Sequence, residues 1–416
     1  MPTPYPFQEE TIEFIRERRH SIVAHEPGLG KSMCAILGAD VPALVIAPAS
    51  LLLNWRREIE MWRPRDAQLF SVLSYADRSL GKMTAANAAR LYRTVVPDEV
   101  HYVKNPDAER SRQVCALIRA IGETGKAIAL SGTVVPNRPI ELWPLLFSMG
   151  ITSKNYYAFA RRFAAAWKAP WGFDVSGSSN ERQLREILRP HLIRFTKRQV
   201  LPQLPPKTWR VIALDLPRPR QERAFSLDDL QKMEKSLAFE ALSDVLKLHG
   251  ERKTPLAVEY IESLLVDKPK IVVFAHHREV VAQVASRLGH YRPVTIQGGL
   301  SGRRKQAAVD AFQRDPEVRV IVGQNAAMGV GHTLTAASHV VMVEGSWVPG
   351  ELEQMADRCH RIGQHDNVTV DALTISGSID EHMLRRAIEK SETVESIVPV
   401  STPRKRQVAE KFLDTF

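Results

Sequence analysis

The stretch His25-Glu26-Pro27-Gly28-Leu29-Gly30-Lys31-Ser32 constrains this chain more than any other. It follows a short apolar segment, Ser21–Ala24, and precedes Met33–Leu37, which reads as the start of a helix. A strand, a glycine-bearing loop and Gly-Lys-Ser opening a helix make a phosphate-binding arrangement. Gly28 and Gly30, flanking Leu29, let the backbone turn tightly enough for several N–H groups to face one anion. The helix start adds its positive dipole end. In this reading Lys31 reaches the β- and γ-phosphates of ATP and the Ser32 hydroxyl ligates Mg²⁺. An ordinary glycine turn ahead of a helix is the alternative, and His25 stands where the motif usually carries Gly.

The length, 416 residues, predicts two or three domains. Lys and Arg exceed Asp and Glu by 57 to 47, a formal charge of +10. That excess favours a polyanionic partner, nucleic acid first, or serves only to keep the protein in solution. Cys34, Cys115 and Cys359 are far apart, so neither a disulfide framework nor a zinc site is expected. A reducing compartment fits: the cytoplasm of a bacterial or virus-infected cell, or a eukaryotic nucleus. The N-terminus lacks the regions of a signal peptide, and no apolar run reaches membrane-spanning length. A monomer away from membranes is expected.

Gln8 opens a helix read over Glu9–His20, where its amide either binds the adenine edge or simply sits on the surface. Ala43–Ala47 is a continuous apolar run closed by Pro48, the mark of a buried parallel strand. Ser50 follows it, placed either to touch a nucleic-acid phosphate or to cap the next helix. Further strands are expected at Ser71–Tyr75 and Ala127–Leu130, with a helix at Met83–Arg93. Thr94–Pro97 leads into Asp98-Glu99-Val100-His101. An Asp-Glu pair is usually a solvated turn. Beside a lysine loop it suits nucleotide hydrolysis, Asp98 holding Mg²⁺ and Glu99 orienting and deprotonating the attacking water. Ser131-Gly132-Thr133 either link the nucleotide site to a nucleic-acid face or form an ordinary turn.

These segments resemble the first lobe of superfamily 2 helicases, and more narrowly the Swi/Snf-type duplex DNA translocases. "EPGLGKS" is similar to that family's D-E-M-G-L-G-K-T, and "DEVHYVKN" to its D-E-A-H-x-x-K-N. "QMADRCHRIGQ", Gln354–Gln364, is similar to its Q-A-x-D-R-x-H-R-I-G-Q. "WGFDVSGSSN" (Trp171–Asn180), "QLPPK" (Gln203–Lys207), "NRPIEL" (Asn137–Leu142) and "VFAHH" (Val273–His277) resemble the annealing-helicase, HARP-like branch. The resemblance implies an α/β fold of two RecA-like parallel-sheet lobes with a helical insertion between them. It implies residues 1–150 as the ATP-binding lobe, 151–265 as helical protrusions and linker, and 266–395 as the second lobe. Residues 396–416 form a basic tail. The implied activity is an ATP·Mg²⁺-driven motor on duplex or forked DNA that remodels or reanneals it. The motor subunit of a restriction or remodelling complex, and an RNA helicase, remain as alternatives.

Residues Ile151–Val266 do not read as a strand-helix alternation. Arg194, Lys197 and Arg198 are placed either on DNA phosphates or on a solvated helix face. Trp167, Trp171 and Phe173, set among basic residues, read as core rather than as base-stacking platforms. A long helix is expected over Gln221–Gly250. Strand-helix alternation resumes at Lys270–Ala275, which ends at His276, a DNA-contact candidate. It continues through Val294–Gln297, Ser301–Arg314, Val318–Gly323 and Val340–Glu344. By resemblance, the glycine loop Gly329–Leu334 faces nucleotide through Gly329 and DNA through Thr333. Arg358 and Arg361, three apart, are expected on one helix face, with Gln354 beside them. By resemblance Arg361 is the arginine finger and Arg358 its partner.

Overall fold

The computed structural model describes residues 3–132, 138–169, 172–217, 235–329, 331–346 and 348–394. The chain divides into two compact units, with boundaries after Pro202 and after Thr393.

The first unit contains β1 (His20–Val23), β2 (Ala43–Ala47), β3 (Phe70–Ser74), β4 (Thr94–Pro97), β5 (Lys126–Leu130), β6 (Trp167–Ala169), β7 (Gly172–Asp174) and β8 (Leu192–Ile193). Six of these form one parallel sheet in the order β3-β2-β4-β5-β1-β8, while among the described residues β6 and β7 pair only with each other, antiparallel. Ala43 to Ala47 are all buried, as a central parallel strand covered on both faces requires. Pro97, which lacks an N–H, ends β4, where only β2 still pairs with it. The Asp98 N–H takes up the ladder instead, donating to the Ile46 carbonyl at 2.8 Å.

The second unit contains β9 (Lys207–Leu214), β10 (Ile271–Ala275), β11 (Val294–Ile296), β12 (Val320–Gln324), β13 (His339–Met342) and β14 (Val368–Ile375). These form a second parallel sheet, ordered β11-β12-β10-β13-β14-β9. Alternate residues of β10 serve different cores: Val272 and Phe274 pack in one, Ile271, Val273 and Ala275 in the other. Period-two alternation thus explains why the whole run is apolar. Ser301 caps the helix Gly302–Arg314, its Oγ accepting from the Arg304 N–H.

The two parallel-sheet units expected from the sequence are present. The middle of the chain differs from expectation, for residues 151–266 include β6, β7, β8 and β9. β8 joins the first sheet and β9 runs beside β14 for eight residues as the edge of the second. The long helix covers Lys235–Leu265, and residues 221–234 lie outside the described chain. Trp167, expected in the core, is 54% exposed, because a two-stranded ribbon has no second layer to cover both its faces. Phe173 is half-buried, and Trp171, Thr133 and the tail 396–416 lie outside the described residues. Among the described residues no helix is long and apolar enough to cross a membrane.

The β14–β9 edge is fastened by a buried carboxylate. Asp371 accepts hydrogen bonds from Arg210 Nε (2.6 Å) and Nη2 (2.7 Å), Tyr260 Oη (2.7 Å) and His339 Nε2 (2.6 Å). Burial alone would raise its pKa. The donors from His339, Arg210 and Tyr260 outweigh burial and hold it down at about 2. A carboxyl with a depressed folded pKa stabilises the fold above its unfolded pKa of about 4 and loses that contribution as pH falls toward 2. Asp371→Asn should therefore lower stability at pH 7 by about 3 kcal/mol in urea unfolding, with the gap to wild type narrowing as pH falls below about 4. A gap that stays constant with pH would contradict this role.

Candidate functional site

In the first unit, the loops at the carboxyl ends of β1, β5 and β4 converge. The loop after β1 turns through Gly28 (φ 89°) and Gly30 (φ 81°), left-handed positions that suit glycine, and Gly30 caps the helix Lys31–Gly38. Leu29 is fully buried beneath it. Lys31 Nζ donates to the His25 carbonyl at 2.8 Å, so its ammonium lies over the loop. Ser32 stands in the first turn of the helix. Ser131, buried at the end of β5, leads to Gly132, where an added Cβ would lie 3.1 Å from Pro27 and 3.6 Å from Lys31 Nζ. The turn after β5 is therefore moulded to the loop.

Asp98 and Glu99 follow β4. Asp98 is buried; Trp55 Nε1 donates to its Oδ2 at 2.8 Å, and the Glu99 N–H donates to its Oδ1 at 2.9 Å. Tyr75 fixes the Asp98 carbonyl at 2.8 Å. Burial, and then the charge of Glu99, push the Asp98 carboxyl up to about 6 against the pull of Trp55 and Lys31. Glu99 adopts φ 50°, a left-handed conformation that a non-glycine residue holds only under constraint, and its Oε2 lies 3.4 Å from His101 Nδ1. Two adjacent acidic groups beside an ammonium and a run of loop N–H groups fit a phosphate-bound Mg²⁺. Among the described residues there is no cluster of three His, Cys, Asp or Glu side chains that would hold a metal by itself.

Gln8 supports the loop from below. Its Nε2 donates to the Leu29 carbonyl at 3.0 Å and its Oε1 accepts from the Tyr5 N–H at 2.9 Å. The more consequential residue is His25, which sequence reasoning registered only as a departure from glycine. It is fully buried. Its Nδ1 accepts from the Phe195 N–H at 3.1 Å, so Nε2 carries the proton and donates to Thr11 Oγ1 at 2.8 Å. Thr11 in turn donates to the Phe7 carbonyl at 2.7 Å. Burial, with Lys31 and Arg194 nearby, holds the imidazole pKa well below its usual value, keeping it neutral. The segment after β8 continues along the loop: Ala24 N–H donates to Ile193, Glu26 N–H to Phe195, and Lys197 N–H to Glu26 Oε2 at 2.8 Å. Arg194 and Lys197, expected on DNA or on a solvated face, are 8% and 5% exposed in this packing. Ser50 lies half-buried in a short 3-10 turn after β2 and caps no helix.

In the second unit, Arg358 and Arg361 do not share a helix face. The helix Pro349–Ala356 ends at Asp357, and both arginines lie in the turns beyond it. Gln364 holds those turns. Its Nε2 donates to the carbonyls of Ala337, Cys359 and Thr335, and its Oε1 accepts from the His365 and Asp366 N–H groups. Arg358 is buried, with Nε donating to the Gln354 carbonyl at 2.8 Å. Arg361 Nη1 donates to Thr333 Oγ1 at 2.7 Å and lies 3.3 Å from the His332 carbonyl. Burial, then Arg358 and other cations including Arg361, lower the His332 pKa to about 4. Gly329 is the close-approach point: a Cβ there would meet the Asn325 carbonyl at 2.5 Å and Met355 at 3.3 Å. The glycine loop and the arginine turns thus form one assembly, with Gln354 buried in it. His276 sits apart, after β10, where its N–H and that of His277 both donate to Glu344 Oε2 at 2.9 Å.

The QLPPK segment locks onto the same turns. Lys207 Nζ contacts Asp357 at 2.9 Å and also Glu353, while His360 Nε2 donates to the Pro205 carbonyl at 2.8 Å. Burial works against the ammonium, but the two carboxylates outweigh it and raise its pKa.

Two domain families match in sequence: an SNF2-related domain over residues 72–254 and a helicase conserved C-terminal domain over residues 256–363. The chain belongs to the Swi/Snf-type family of superfamily 2. It is 32% identical over 434 residues to the DNA annealing helicase and endonuclease ZRANB3 of Mus musculus, covering 94% of this chain and 40% of that protein. It is 31% identical over 418 residues to the SWI/SNF-related matrix-associated actin-dependent regulator of chromatin subfamily A-like protein 1 of Xenopus laevis, covering 92% and 43%. The chain therefore spans about two fifths of the length of these relatives. The Sulfolobus solfataricus SWI2/SNF2 ATPase core in complex with dsDNA aligns over 96% of this chain and 98% of that one, at 21% identity and a TM-score of 0.41.

Two substitutions test these supports. His25→Leu removes the donor to Thr11 and the acceptor of the Phe195 N–H, and should lower stability by about 2–4 kcal/mol in urea unfolding. Unchanged stability would mean that the imidazole is not what joins these segments. Lys207→Met removes the ammonium from Glu353 and Asp357 and should cost about 3 kcal/mol in the same assay, whereas Lys207→Arg retains most of it.

Proposed function

We propose that the chain is an ATP-dependent translocase acting on duplex or forked DNA, which it remodels or reanneals. The observation that carries this reading is the convergence of Lys31, Ser32, Asp98 and Glu99 at the carboxyl ends of β1 and β4, in a member of this family. Lys31 and the N–H groups of Gly28–Ser32 bind the phosphates of ATP, and Gln8 holds the loop in place for them. Ser32 and Asp98 would hold Mg²⁺, which neutralises charge on the phosphates. Glu99 orients the attacking water and takes its proton. Arg361, with Arg358, supplies guanidinium charge to the transferred phosphate. Contacts to DNA fall to Thr133, Thr333 and His276. Binding through phosphates makes affinity independent of sequence and weaker with added salt.

ATPase rates without nucleic acid, and with duplex, single-stranded and forked DNA and with RNA, test the reading. Duplex or forked DNA should raise the rate many-fold, and Glu99→Gln and Arg361→Ala should each lower the stimulated rate by about a hundredfold or more. Equal rates under all conditions, or stimulation by RNA alone, would reject it.

A further inference from the structure

The β6–β7 ribbon has aromatic rings in solvent that the nucleotide site does not use. Tyr157 is 58% exposed and Trp167 54% exposed. In the antiparallel register Lys168 faces Phe173 and Trp167 faces Asp174, so the two pairs lie on opposite faces of the ribbon. Tyr157 meets Phe173 edge-on, with ring centroids 5.1 Å apart at 75°, so a shelf of two rings extends from the helix Tyr156–Phe163 onto β7. Arg161, one turn beyond Tyr157, is exposed, as is Lys168 opposite Phe173. Residues 151–190 carry seven Lys and Arg against three Asp and Glu, a formal charge of +4.

We propose that the helix Tyr156–Phe163 and the Phe173 face of the ribbon form a stacking surface for the unpaired bases of single-stranded DNA. Rings flanked by cations match a strand whose bases offer flat apolar faces and whose backbone is anionic. A protein partner fits less well, since lysine is depleted where protein interfaces close over aromatic anchors. A duplex fits less well too, because its bases are stacked on each other and their flat faces are hidden. The surface thus gives the motor a means to tell a forked or gapped substrate from a continuous duplex. The inference rests on the DNA-motor reading for the kind of nucleic acid bound.

Fluorescence anisotropy with labelled oligo-dT and with a blunt duplex of equal length tests it directly. Tyr157→Ala and Phe173→Ala should each weaken oligo-dT binding about fivefold or more, while duplex affinity changes by less than about twofold. Tyr157→Phe, which keeps the ring, should bind as wild type, and so should Leu91→Ala, which removes an equally exposed apolar side chain elsewhere. Matching thermal melts will show that the alanine variants are folded. Unchanged oligo-dT affinity in the double alanine variant, or an equal loss on the blunt duplex, would overturn the proposal. Duplex-stimulated ATPase separates the two readings. If wild type shows none while the ring variants still lose strand affinity, the motor reading fails and the stacking surface stands.

Discussion

The glycine loop after β1 depends on one imidazole with one donor and one acceptor, both engaged. His25 receives the Phe195 N–H and gives its own proton to Thr11, joining the N-terminal helix, the loop and the strand extension 170 residues further along the chain. Only a neutral ring can do both, and burial enforces neutrality. A glycine loop left to itself samples many conformations, and each ordered residue carries an entropic cost. Gln8 and Glu26 add further ties, so the loop is set by side chains before any anion arrives.

The second unit solves a similar problem with different chemistry. The turns that carry Arg358 and Arg361 have no helix to hold them. The carboxamide of Gln364 supplies that order, and Lys207 clamps the end of the preceding helix through Glu353 and Asp357. Arg361 is itself oriented by Thr333 and the His332 carbonyl. In each unit the charged groups of the candidate site stand on irregular backbone beyond regular elements, and residues distant in sequence fix that backbone. A parallel sheet favours this, because its crossovers deliver loops to the same edge.

Much of this was legible in the residues. Continuous apolar runs such as Ala43–Ala47 and Ile271–Ala275 announce buried parallel strands, and Gly28 and Gly30 announce the turn between strand and helix. The arginine turns were misread, since a spacing of three suits a helix equally well as the irregular turns that Gln364 makes. β9 and β14 are edge partners whose pairing spans some 160 residues, a signal no local window holds. Arg194 and Lys197 look like surface cations until β8 is placed against β1 and the segment after it against the loop. Trp167 reads as core from its size, yet on the two-stranded β6–β7 ribbon it is 54% exposed.

Residues 25–32 are proposed to form a nucleotide cradle built around Lys31. Amide hydrogen exchange across this segment tests it most directly, comparing the free protein with the protein in Mg²⁺ and a non-hydrolysable ATP analogue. Strong added protection is expected at Gly28–Ser32, abolished in Lys31→Ala. Exchange there that is indifferent to the nucleotide, or protection that survives loss of the ammonium, would contradict it.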